Sequence, residues 1–466
     1  MSERYDCAIV GAGPAGLAAA DVLGAEGCKV ALLDEQPAAG GQIYRGIATA
    51  DAKRRQVLGE DYAAGAALLG ALAHDSVGHL AEATVWEVAA ERRISYSVNG
   101  KAQSLKASQI LIATGATERP MPFPGWTLPG VMTAGAGQIL LKTAGLLPPS
   151  PCVLAGSGPL LLLLANQYLA AGLKLDAIVE TTPRGNLGKA LPHALGALRG
   201  HRILRKGLKL LAGLRKAAVP HYRRATDLVA EGAEAVEALA FTADGRRRRL
   251  DCTTLMIHNG VVPNVQIGRS LNLEHDWDDL QLCWRPRVDD FGGTSLAGIR
   301  IAGDGAGIVG AEASAEAGRL AALAMLADLG KITAAERDNR ARKALAAYRA
   351  LAGGRPFLDA LYAPAPAFLA PPDETIVCRC EEVTAGTLRG FVDLGCLGPN
   401  QAKSFGRPGM GPCQGRYCGL TVSSVIAAKR GVPMAEVGYY RLRPPLKPIT
   451  LGELASMDLE DDSFEP

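Results

Sequence analysis

The chain has 466 residues, with 50 Lys and Arg against 47 Asp and Glu and a net charge of +3. That length exceeds what one hydrophobic core organises, so two or three domains are expected. The near-neutral balance gives no reason to expect nucleic acid or an anionic membrane as a partner, and 48% apolar residues describe an ordinary globular protein.

The opening residues, MSERYDCAIVGAG, lead directly into a strand, without a charged segment and apolar leader before it. The longest apolar stretch, PLLLLLANQYLAAGL, is shorter than the roughly 18 to 20 residues of a bilayer-spanning helix. The expected compartment is therefore the cytoplasm, where cysteines serve as thiols or metal ligands rather than disulfides. Of the 10 cysteines, Cys7, Cys28, Cys152, Cys252 and Cys283 are dispersed singly in mostly apolar surroundings and read as small core residues.

In chain order, YDCAIV predicts a strand, GAGPAG a tight turn, LAAADVLGAEG a helix, and KVALLDE a second strand ending in acid. Gly11, Gly13 and Gly16 stand at G-x-G-x-x-G spacing, with Pro14 and Ala15 between them. The first glycine permits the turn, the second lets backbone approach a pyrophosphate, and the third permits close helix–strand packing with the helix N-terminus facing the phosphates. A carboxylate at the end of the second strand would take ribose hydroxyls; Asp34 fits, with Glu35 the alternative. Further on, QILIATGATERPMPFPG and GIRIAGDGAG each read as a strand running into a turn.

Together, GAGPAG, GGQIY at 40–44, ATG at 113–115 and AGD at 302–304 resemble the flavin-binding fingerprints of the two-dinucleotide-domain flavoproteins related to thioredoxin reductase. The resemblance implies an α/β fold of the thioredoxin/glutathione reductase-like kind that binds FAD. The FAD contacts it implies are Gly11, Gly13, Pro14, Ala15, Gly16, Gly41, Gln42, Ala113, Thr114, Gly115, Gly303 and Asp304, the last at the ribityl–phosphate region. No C-x-x-C or C-x4-C pair occurs in residues 1–370, which argues against a thiol–disulfide reductase.

A second unit of the same kind, PCVLAGSGPLLLLLANQYLAAGLKLDAIVE, has Leu161 at the third glycine position, where a bulky side chain opposes close packing. Glu180 and Arg184 lie near the end of its second strand. Whether this unit holds a nucleotide (NAD(P) or ATP) stays open. His258, in IHNGVVPN, reads as packing or turn chemistry, and the basic amphipathic stretch HRILRKGLKLLAGLRK reads as a solvated helix face rather than a membrane contact. The expected division is an FAD domain at 1–117 with 260–330, an NAD(P)-binding-like domain at 118–259, a helix and Pro-rich linker at 331–372, a small domain at 373–440 and a tail at 441–466.

The small domain carries Cys378 and Cys380 as C-x-C, then Cys413 and Cys418 as C-x4-C in GMGPCQGRYCG. Four thiolates brought together need a cation to offset their repulsion. Zinc takes four cysteines; the short C-x-C spacing and a glycine-rich loop able to turn N–H groups towards sulfur favour a [2Fe–2S] cluster. Cys396 reads as a small buried residue at a helix end. The stretch resembles the bacterioferritin-associated ferredoxin-like [2Fe–2S] domain, which has C-x-x-C where this chain has C-x4-C.

Taken whole, the order of motifs resembles the larger subunit of heteromeric amine dehydrogenases: opine oxidases, D-hydroxyproline dehydrogenases and hydrogen cyanide synthase. The resemblance implies a companion flavoprotein subunit of the D-amino-acid/sarcosine oxidase type that oxidises a C–N bond. The present chain would accept its electrons and pass them to a quinone or dye, at a peripheral inner-membrane location or in the cytoplasm. An FMN at the interface between subunits and a third small subunit stay open. The alternatives are a self-contained NAD(P)H-dependent flavin reductase using the cluster as its outlet, and a zinc-bearing scaffold subunit.

Overall fold

A computed structural model describes residues 3–199 and 201–457. Its first sheet runs Val77–Leu80, Val30–Leu33, Glu3–Val10, Lys101–Ile112, Arg93–Val98, Thr84–Val88 in spatial order. The long strand Lys101–Ile112 serves two neighbours along one edge. Its first half pairs antiparallel with Arg93–Val98 (Arg93 opposite Lys106), and its last residues pair parallel with Ile299–Ile301 (Ile299 opposite Ile110). Parallel central strands are covered on both faces, and the strand Val30–Leu33 is buried throughout, as an unbroken apolar run requires.

The helix Pro14–Ala25 starts with Pro14 in its first turn, where a missing N–H costs nothing. It lies against the helix Ala311–Asp328 so closely that a Cβ on Gly318 would sit 2.0 Å from the Ala15 carbonyl oxygen. Alanines and glycines line this seam because nothing larger fits.

The second sheet, ordered His221–Tyr222, Ala177–Glu180, Cys152–Ser157, Thr254–Asn259, Val131–Thr133, is parallel throughout. The chain leaves the first unit along Ala116–Glu118 and returns along Val261–Pro263, and these two segments pair as an antiparallel ribbon.

Residues 331–372, expected to pass from a helix into an extended proline-spaced path, are helical further along. Ala334–Ala352 is followed by Arg355–Leu361 and Pro366–Leu369. Pro366, expected with Pro364, Pro371 and Pro372 to stiffen an extended path, instead stands in the first turn of Pro366–Leu369, as Pro356 does in Arg355–Leu361.

The C-terminal region, with helices Ala385–Asp393, Pro399–Gly406 and Gly419–Arg430, shares one apolar core with the first sheet: Leu388, Val422, Val425 and Ile426 join Ile94, Leu105, Ile110 and Ile299. Residues 441–457 pack on that sheet too, with Leu446 N–H donating to the Trp86 carbonyl at 2.8 Å; residues 458–466 of the expected tail lie outside the described residues. Among the described residues no helix is long and apolar enough to cross a membrane.

Candidate functional site

Four sequence-remote motifs meet at the carboxyl ends of the first sheet. Gly11 (φ +110°) passes so near the end of Lys101–Ile112 that a Cβ would lie 2.5 Å from the Ala113 carbonyl oxygen. Gly16 lets the helix close on the turn, where a Cβ would meet the Gly11 carbonyl oxygen at 1.9 Å. Gly41 (φ +61°) rests against Gly13, with 2.8 Å left for a Cβ, and Gly303 (φ +75°) faces Ala15 at 2.9 Å. No side chain caps the helix at Gly13, so its N-terminal dipole faces the cradle. The Thr114 hydroxyl is buried without a protein partner. A backbone cradle, an uncapped helix start and an orphaned hydroxyl fit the phosphates and ribityl chain of FAD.

The two acids of the second strand part company. Asp34, nearly buried, accepts from Ala12 N–H at 2.7 Å and Gln36 N–H at 2.9 Å, which ties the glycine turn to the strand end. Glu35 pairs with Lys447, far along the chain. Asp304 accepts from the Val309 and Gly310 N–H groups, both at 2.8 Å, and orders the entry to the helix Ala311–Asp328. Sequence reasoning missed Lys142. The residue is 3% exposed, and its ammonium donates to the Gln42 carbonyl at 3.1 Å and to Gln138 Oε1 at 2.8 Å. Burial, helped by the nearby Arg45 charge, lowers its pKa to about 7. The available signal was a lysine four residues after Gln138 on the inner face of a mostly apolar helix.

In the second unit, Gly156 (φ +130°) and Gly158 (φ +116°) make the turn before the helix Pro159–Ala170, and Leu161 is packed into the core. Glu180 is already engaged by His221 Nε2 and the Thr182 hydroxyl, each at 3.0 Å. Burial pushes the Glu180 carboxyl up, but these hydrogen bonds hold it below the usual range. His258 Nδ1 lies 2.7 Å from Glu118 Oε1, and Glu118 Oε2 accepts from Gly135 N–H at 3.0 Å. The pair thus ties the ribbon to the second sheet.

The four C-terminal cysteines come from two loops and meet. The two segments touch where a Cβ on Gly411 would lie 2.3 Å from the Cys380 Cβ, and Cys378 and Cys418 are buried in one apolar core. Hydrogen bonds to Cys378 and Cys413 hold Cys418 well above the ordinary thiol range and lower its two neighbours, while burial raises Cys380. Backbone N–H groups of Gly409 and Glu381 also lower Cys378, and those of Tyr417 and Gly415 lower Cys413. Among the described residues no group of three or more His, Cys, Asp or Glu is arranged to hold a metal ion, while a thiol-only donor set approached by backbone N–H groups is of the chemistry an iron–sulfur cluster takes. Cys396 stands apart, buried, with its thiol donating to the Gly398 carbonyl. The loop needs its glycines because Gly409 (φ +83°) and Gly415 (φ +74°) wrap the Tyr440 ring, leaving 2.5 and 2.6 Å for a Cβ.

The same loop docks on the second unit. Tyr417 stacks on Trp126 with centroids 5.9 Å apart and planes 5° off parallel, and Trp126 Nε1 donates to the Ile376 carbonyl at 2.7 Å. A cavity of about 20 Å³ separates Val262, Pro263 and Asn264 from Arg416, Leu420 and Tyr439. The dispersed cysteines Cys7, Cys28, Cys152, Cys252 and Cys283 are all buried. Cys7 and Cys28 lie on neighbouring stretches, because the second strand pairs beside the first.

This fold and site define an FAD-dependent oxidoreductase with two dinucleotide-binding units. Residues 5–325 match the pyridine nucleotide-disulphide oxidoreductase family, and residues 376–457 match the sarcosine oxidase A3 domain. The A subunit of opine oxidase from Agrobacterium tumefaciens (strain Ach5) is 44% identical, over 98% of this chain and 92% of that protein. The HcnB subunit of hydrogen cyanide synthase from Pseudomonas aeruginosa is 32% identical, over 97% and 98%. Among solved structures, L-proline dehydrogenase from P. horikoshii superposes with a TM-score of 0.71 at 18% identity, covering 97% of this chain and 80% of that one. Thioredoxin reductase of T. acidophilum gives 0.51 at 17% identity, covering 70% of this chain and 99% of that one. The chain belongs to the pyridine nucleotide-disulphide oxidoreductase family and, within it, to the larger subunits of heteromeric amine dehydrogenases typified by the A subunit of opine oxidase. It is a flavin oxidoreductase subunit, and a partner subunit is implied.

Proposed function

We propose that the chain is the flavin/iron–sulfur electron-transfer subunit of a dehydrogenase that oxidises the C–N bond of an opine or (D-)amino or imino acid. It would take electrons from a companion D-amino-acid/sarcosine oxidase-like flavoprotein and deliver them to a quinone or dye acceptor. The observation that carries this reading is the approach of the segment bearing Cys378 and Cys380 to the loop bearing Cys413 and Cys418, which is docked through Tyr417 beside the ribbon that leaves the flavin cradle. The likeness to the A subunit of opine oxidase supports the substrate class.

When bound, FAD and a [2Fe–2S] cluster supply exchange between two-electron and one-electron chemistry. The chain's residues would hold them. Gly11, Gly13, Ala15, Gly16 and Gly41 would shape the pyrophosphate cradle, with Asp34 fixing the turn from below. Ala113, Thr114, Gly115, Gly303 and Asp304 would border the ribityl end, and the Gln42 backbone is held by Lys142. The four cysteines would be the cluster ligands, with backbone N–H groups of the loop stabilising negative sulfur.

Iron and acid-labile sulfide in about equal amounts without zinc are expected on analysis of the purified chain. In anaerobic titration, NADH alone leaves the flavin oxidised, whereas opine together with the companion subunit bleaches it. Rapid bleaching by NADH alone would instead establish a self-contained reductase, and zinc without sulfide would establish a scaffold.

A further inference from the structure

The segment between the second unit's strands Ala177–Glu180 and His221–Tyr222 takes no part in either cofactor site. Residues 184–216 contain nine Lys and Arg and no Asp or Glu, so this one excursion holds more than the whole chain's surplus of +3. It folds as short turns of helix at Asn186–Ala190, Leu191–His193 and Ala194–Arg199, then a longer helix at His201–Lys216, with residue 200 outside the described ones. The inner side is anchored: Ala190, Ala197 and Leu214 are buried, and the Asn186 amide donates to the Leu361 and Ala363 carbonyls at 3.1 and 2.9 Å.

The outer side breaks the usual rule for a solvated helix. Leu187, Leu191, Leu195, Leu198 and Leu208 are 57–68% exposed. The first four follow i, i+4, i+8, i+11 across the three consecutive short turns of helix. Lys189, Lys209 and Lys216 stand exposed in the same segment, and among its described side chains only Lys206 meets an acid, Asp61.

We propose that residues 186–199 and 201–216 form an in-plane docking face for an anionic phospholipid bilayer. The composition selects this occupant. Residues 184–216 contain no aromatic residue and no Met, whereas protein–protein contact cores are enriched in both and depleted of Lys. Exposed leucines flanked by Lys and Arg are the pattern of helices lying at the headgroup level, and an acid-free cationic face complements anionic lipid. The near-neutral charge of the whole chain conceals this local surplus. The inference is independent of the proposed substrate and cluster.

Flotation of the full-length, flavin-loaded protein with vesicles tests it. The protein should float with vesicles containing phosphatidylglycerol, remain behind with phosphatidylcholine alone, and be released by high salt. L191Q/L195Q and K209E/K216E should each weaken vesicle binding at least about tenfold while flavin absorbance and melting temperature stay unchanged. Failure of the wild type to float, or equal flotation on both lipids, overturns the proposal. So does loss of flotation once the companion subunit is bound, which would make the face a contact between the two chains. Lipid-free dimers that L191Q/L195Q dissociates would overturn it in favour of self-association.

Discussion

At Gly16 a single hydrogen atom decides whether the first helix can close on its turn, since a Cβ there would meet the Gly11 carbonyl oxygen at 1.9 Å. Gly16→Ala should therefore destabilise the protein by about 1–3 kcal/mol, as overpacking does, and lower the flavin-to-protein absorbance ratio of the purified chain. A variant with wild-type melting temperature and full flavin would contradict this packing account. Lys142 makes a prediction about pH. Its pKa of about 7 in the folded protein lies far below the roughly 10.4 of an unfolded lysine. Below the lower value both states hold the proton, and the folded state bears the full penalty of a buried charge. Between the two values the unfolded state keeps a proton that the folded state has released, so stability rises with pH, by at most about 1.4 kcal/mol per unit. Wild type should gain on Lys142→Met as pH is raised from about 7 towards 10, measured by thermal unfolding of both proteins; a constant difference would exclude the effect. Glycine spacing makes Gly11, Gly13 and Gly16 legible in the sequence, because backbone geometry is a local demand. The choice between Asp34 and Glu35 is not legible there, because Glu35's partner Lys447 comes from the far end of the chain.

Elements are legible where they repeat a local logic and less so where the logic is one of contact. Strand, glycine turn and helix are predicted around residues 5–25 and 152–170, and both units are found there. The prolines after residue 353 suggest an extended path, but a proline is equally at home in a helix's first turn, and only packing decides between the two. Trp126 follows directly on the ATERPMPFPG stretch and carries no signal of its own. Its importance comes from Tyr417 and Ile376, neither of which is local. Trp126→Ala removes a buried stack and leaves the Ile376 carbonyl without its donor. The expected cost is about 3–5 kcal/mol, with cleavage near 364–372 by added protease accelerated well beyond the wild-type rate. Unchanged cleavage would mean that the stack does not hold the C-terminal region in place.

For the whole molecule, the decisive variants are those that test the proposed cluster separately from the flavin. Cys380→Ala and Cys413→Ala should lose iron and sulfide while retaining flavin. In the assembled dehydrogenase, flavin reduction by substrate should persist while turnover with a one-electron acceptor falls at least about tenfold. Equal loss of both activities would show that the cysteines serve folding rather than electron exit. The two-unit design is foreseeable from motif order, but the sharing of one core by the first sheet and the C-terminal helices is not, since no periodicity announces which face another domain will cover. That sharing bears on the ribbon formed by Ala116–Glu118 and Val261–Pro263. Two short paired segments between two bodies are mechanically a pivot. Here the C-terminal region spans the pivot, fused to the first body through its core and fastened to the second by Trp126 and Tyr417. A swinging joint is thereby converted into a braced one. The distance between the first unit and the C-terminal loop is thereby set by packing rather than by the angle of a hinge.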